Sequence, residues 1–161
     1  MRPKSKARPI AAALALAVVL MPPGCRSAPK QPAPPALAST DPRTPVALPA
    51  EAQQAVLREM RQLLGAVGGA MAGAANGDTS VVLAALAPAS SAAAADPALE
   101  ALLPAGWKEL AERTHSDFDS LAAAVRRTRG GQALKDTVLV RLARLSGGCT
   151  SCHETYRVTL R

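Results

Sequence analysis

Near the end of the chain stand five residues, Cys149-Thr150-Ser151-Cys152-His153, that restrict its fold more than any other stretch. Two thiols three positions apart share one face of a helix, and an imidazole follows directly on the second. Any fold must therefore aim two sulfurs and a ring nitrogen at one place, with room there for what they hold. C-x-x-C-H is the spacing of covalent haem attachment. The thiols add across two vinyl groups on one edge of the macrocycle, and the adjacent histidine gives the iron an axial nitrogen. Two other uses compete. Structural zinc takes four protein ligands, and after Cys149, Cys152 and His153 the sequence offers only His115 or the distant Cys25. A thioredoxin-like dithiol expects a neighbouring strand and helix, and the apolar pattern supplies no such unit.

That pattern is helical. Ala and Leu dominate, β-branched runs are scarce and few stretches alternate with a period of two, so an all-α domain is expected. A chain of 161 residues is long enough to bury one core besides accessory segments. Trp107, Phe118 and Tyr156 are its only aromatic residues, few for a core of this size. A flat apolar cofactor would fill the volume they leave; an Ala/Leu bundle with closely spaced helices would account for it equally. The formal charge of +7 is concentrated at the start. Setting aside Arg2, Lys4, Lys6 and Arg8 leaves 15 basic against 12 acidic residues. No basic stripe with interleaved aromatics points to nucleic acid.

Residues 1–24 read as an export signal, with a basic start, an apolar run from Ile10 to Met21 too short to span a bilayer, and Pro22-Pro23-Gly24. Leu20-Met21-Pro22-Pro23-Gly24-Cys25 resembles a bacterial lipoprotein box, with Pro22 where such boxes usually carry Leu. Cleavage before Cys25 would leave a lipidated cysteine and a membrane-anchored periplasmic protein; ordinary cleavage would leave a soluble one. Residues 25–49, rich in proline, read as a disordered tether.

Residues 50–161 form the folded domain. The first helix is expected from Glu51 to Asn76, its apolar seam running Val56, Met60, Leu63, Val67, Ala70 and Ala74. Gly65, Gly68, Gly69 and Gly73 on it predict the close approach of a backbone or a flat ligand. A second helix from Thr79 should end near Ala87, before Pro88. Asp96-Pro97 reads as a cap and first turn. The third helix presents Trp107, Leu110, Ala111, Thr114, Phe118, Leu121, Ala122 and Val125 as one stripe. The fourth carries Leu134, Val138, Leu142, Leu145, Cys149, Cys152 and Tyr156 at steps of four and three, so both cysteines continue its buried face. Gly147-Gly148 marks either a close approach or a local break.

Cys149-Thr150-Ser151-Cys152-His153-Glu154-Thr155-Tyr156-Arg157 resembles the C-x-x-C-H-x-x-Tyr-Arg ending of the class II c-type cytochromes, cytochrome c-prime and its low-spin relatives, and Trp107 with Phe118 is similar too. The resemblance covers roughly residues 50–161. It implies an antiparallel four-helix bundle with one covalent haem c on Cys149 and Cys152 near the C-terminus, His153 as proximal iron ligand, and Arg157 near that imidazole on the next turn. It also implies a distal residue early in the first helix, where Met60 lies. Met71 is about 16 Å farther along the axis at 1.5 Å per residue, and His115 is the other possible donor. Two functions follow from the distal side. Methionine ligation gives a one-electron carrier between redox partner proteins; an open position gives a binder of nitric oxide or carbon monoxide. A prosthetic-group-free interaction module is the third reading. No Ser/His/Asp arrangement, phosphate loop or second metal cluster suggests an enzyme. Family members often form dimers through their early helices, an arrangement that the glycine-rich first helix would permit.

Overall fold

The computed structural model describes residues 41–93 and 96–161. The expected export signal, Cys25 and the tether up to residue 40 lie outside these.

Pro49 ends an extended stretch, and the chain turns helical at once in α1 (Ala50–Ala75). Asp78 caps the next helix, its carboxylate accepting from the amides of Ser80 and Val81 at 2.9 and 3.1 Å. This helix, α2 (Thr79–Leu86), gives way to a 3-10 turn at Ala87–Ala89, where Pro88 has no amide to continue it. Asp96 caps the single turn α3 (Pro97–Glu100) in the same manner. After Pro104 comes α4 (Ala105–Arg126). Gly130, at φ +83°, then takes a backbone conformation that side chains disfavour, and α5 (Gly131–Thr155) begins. It runs unbroken through Gly147-Gly148 into the cysteine motif.

Among the described residues the chain is mostly helical, with α1 packed on α2 and α5, and α4 packed on the same two. Ala66, Ala70 and Ala74 of α1, Val82 and Leu86 of α2, Phe118, Leu121 and Val125 of α4, and Leu134, Val138 and Leu145 of α5 form the main core. Each fully buried leucine or phenylalanine stabilises it by roughly 1.5–3 kcal/mol. Small residues set the spacing of α1 and α2. A Cβ at Gly73 would lie 2.8 Å from the backbone nitrogen of Val82, and one at Gly69 would lie 2.6 Å from Ala85 Cβ. The expected close approach is thus of a neighbouring helix at these two positions.

The all-α expectation needs correction. Thr44–Leu48 forms β1 and Tyr156–Leu160 forms β2, paired in parallel with Thr44 opposite Tyr156 and Leu48 opposite Leu160. The last part of the expected tether is therefore strand, and Tyr156 and Arg157 leave the helix on which they were expected. Along β1, Val46 and Leu48 are buried while Thr44, Pro45 and Ala47 are exposed, the alternation of a strand with one covered face. Pro45 and its neighbouring prolines mask that short alternation in the sequence, although proline is tolerated in an edge strand. Parallel strands need a long crossover, and here the entire helical body is the crossover. No helix among the described residues is long and apolar enough to cross a membrane.

Candidate functional site

Where α1, α4 and α5 come together beside the strands they leave a cavity of about 440 Å³, within the range of cofactor and ligand sites, roughly 300–1,000 Å³. Its walls follow from the three apolar stripes. From α5 come Cys149, Cys152 and His153; from α1, Val56, Met60, Leu63, Leu64 and Val67; from α4, Trp107, Leu110, Ala111 and Phe118. The polar lining is sparse: Glu59, Arg61, Thr114 and His115 besides the motif itself. Trp107 tilts against Tyr156 of β2, ring centroids 5.4 Å apart, and with Val46, Leu48 and Val56 forms a second apolar cluster onto which Met60 and Cys152 pack. The strand pair thus backs the cavity on the side of the motif.

The two thiols are free and half-buried. Burial pushes both above the ordinary thiol range, and the neighbouring Cys149 raises Cys152 further. Such sulfurs stay protonated in the free chain rather than acting as exchange nucleophiles, for which proteins lower the thiol's pKa. Among the described residues no three of His, Cys, Asp and Glu gather as a metal-holding group; Cys25 lies outside those residues.

The two histidines differ in what their rings already do. His115 is 5% exposed; its Nδ1 faces the Ala89 carbonyl at 2.9 Å and its Nε2 faces Glu59 Oε1 at 3.1 Å. Both neighbours are acceptors to which the ring donates from both nitrogens when protonated, and the Glu59 hydrogen bond holds its pKa above the usual histidine value. Both ring nitrogens therefore already face protein acceptors. His153 lines the cavity from the last turns of α5 and is exposed; among the described residues no hydrogen bond engages its ring.

Met60 is half-buried at the cavity wall. Met71 is 50% exposed and lies outside it, so of the two methionines only Met60 belongs to the site. Arg157 is corrected in place: α5 ends at Thr155, so there is no next helical turn. Arg157 sits on β2, its Nε 4.0 Å from Asp41 Oδ2, and does not line the cavity. Glu59, 56 positions before its histidine, escaped the sequence reading, as did Arg43, whose guanidinium reaches the His153 carbonyl. Neither pairing has a local signal, because each is made by chain segments that meet only in the fold.

No family model, curated protein or solved structure matches this chain.

Proposed function

We propose that the chain is an exported monohaem c-type cytochrome that carries single electrons between partner proteins. It would be built as an antiparallel four-helix bundle of α1, α2, α4 and α5. The observation that carries this reading is the convergence of Cys149, Cys152, His153 and Met60 on one apolar cavity. Cys149 and Cys152 would hold the macrocycle as thioethers, His153 would bind the iron, and Met60 would fill the sixth position. Haem, when bound, supplies a reversible one-electron couple, and methionine ligation raises its potential.

The chain's own residues account for the rest. Apolar side chains of α1 and α4 make up most of the cavity wall, and a low-dielectric surround is one of the levers a protein has on such a potential. Trp107 and Phe118 bound the cavity on the α4 side. His115, held by Glu59 and Ala89, serves as a fixed polar prop in that wall rather than as a ligand. Export would place the protein in the periplasm, and lipidation of Cys25 would anchor it to a membrane through the proline-rich segment. These two elements rest on the sequence.

Absorption and resonance Raman spectra in both oxidation states test the proposal. Expected is a six-coordinate, low-spin protein that takes up carbon monoxide slowly, and a Met60→Ala variant that turns high-spin and binds it readily. A wild-type protein that is already high-spin and binds carbon monoxide freely would replace the carrier with the gas binder.

A further inference from the structure

The segment before β1 reaches the end of α5 at the backbone of His153. The register that sets Thr44 opposite Tyr156 runs the preceding residues alongside the last turn of the helix. The last four carbonyls of a helix have no amide partner within it. Here the Cys152 carbonyl accepts from the amide of Tyr156, and the next, that of His153, accepts from Arg43 Nη1 at 3.2 Å. The remainder of that guanidinium is pinned. Its Nε donates to Asp41 at 2.9 Å and its Nη2 at 2.6 Å, a two-pronged pairing that fixes the plane of the group. Asp41 also stands 4.0 Å from Arg157 Nε, a buried atom with no hydrogen bond among the described residues.

We infer that Asp41 and Arg43 are positioning residues for His153, a bracket from outside the helical body that holds the last turn of α5 and sets the charge beside the proposed iron ligand. The inference rests on the haem reading. His153 is exposed and lies close to the helix end, where a turn frays unless it is tied. Its carbonyl is tied through Arg43, and Arg43 through Asp41, so the ring's position depends on residues more than a hundred positions away. Groups behind a ligand also tune the metal it binds. Among the described residues the bracket sets two cations, Arg43 and Arg157, beside the anion Asp41. Replacing Asp41 takes one negative charge from the bracket, and replacing Arg43 takes one positive charge. Positive charge near an iron disfavours its oxidised form, so the two changes act on the potential in opposite senses.

The experiment uses the full chain matured with haem-attachment machinery, comparing wild type with Asp41→Asn, Arg43→Ala and Arg43→Lys. Readouts are the midpoint potential and amide hydrogen exchange in the last turn of α5. Asp41→Asn should raise the potential and Arg43→Ala should lower it, with last-turn exchange several-fold faster in Arg43→Ala. Arg43→Lys, which keeps the charge without the fork, should hold the potential near wild type yet lose part of the exchange protection. A merely structural role would move the potential of Asp41→Asn and Arg43→Ala in one direction or not at all, and either result overturns the bracket. So would unchanged exchange in Arg43→Ala. A wild-type chain that carries no haem would overturn the function proposed above; haem attached in every variant with potentials unmoved overturns the bracket alone.

Discussion

Along α1 two kinds of packing follow one another. Its second half meets α2 through Gly69, Ala70, Gly73 and Ala74, against Val82, Ala85 and Leu86, so tightly that a single added carbon would collide. Its first half, Val56 to Val67, faces Trp107, Phe118 and the two cysteines across a cavity. The closed half obtains its stability from interlocked small residues and leaves no space; the open half leaves space and is backed by two strands instead. The same helix thereby serves stability at one end and a site at the other, and the two functions can be perturbed separately.

The largest effect is expected from removing volume in the closed half. Leu86→Ala should cost about 2–5 kcal/mol in denaturant unfolding, the range for a buried leucine, without changing how the cavity is lined. Adding volume there comes next: Gly73→Val should cost about 1–3 kcal/mol, read as a lowered thermal midpoint, because the atom it meets is the backbone nitrogen of Val82. Asp78→Ala, which uncaps α2, should cost roughly 1 kcal/mol. At the mouth of the cavity, Leu64→Ala should stay within about 0.5 kcal/mol of wild type, since this side chain is 72% exposed. If Leu64→Ala were as damaging as Leu86→Ala, the contrast between the halves would fail.

The smallest effects are on pH dependence, and their signs differ. The His115 pKa is raised by Glu59, so its contribution is fully present below the ordinary histidine value near 6.5 and is lost as pH rises through the elevated one. His115→Gln should flatten stability curves in that window. Asp41, beside Arg43, is lowered to about 2; its contribution is present above the ordinary value of 3.8 and fades as pH falls toward 2. Asp41→Asn should remove this acid-side slope together with the contribution held above it.

The sequence made the helices legible because each carries its own period. The seam from Val56 to Ala74, the cap at Asp96 and the stop before Pro88 are local patterns, and local physics decides them. The cysteine motif was legible for the same reason: Cys149 and Cys152 follow Leu142 and Leu145 on one face. What escaped was non-local. Five residues of β1 pair with five of β2 across the whole helical body, and nothing within either segment announces its partner. Arg157 was expected on a helix because the periodicity of α5 reaches Tyr156; pairing with β1 ended the helix one residue earlier. The place of Met60 in the site and of Met71 outside it followed from helix register, whereas the occupation of both His115 nitrogens needed Glu59 and Ala89 brought in from other elements.

The central claim is that the cavity beside Cys149 and Cys152 takes a haem joined to both sulfurs. Mass spectrometry of the protein exported from a host with intact haem-attachment machinery tests it most directly. The account predicts one added haem per chain, retained after acid-acetone extraction and located by digestion on the peptide that contains both cysteines and His153. A chain of unmodified mass, or a haem that the extraction removes, would contradict it.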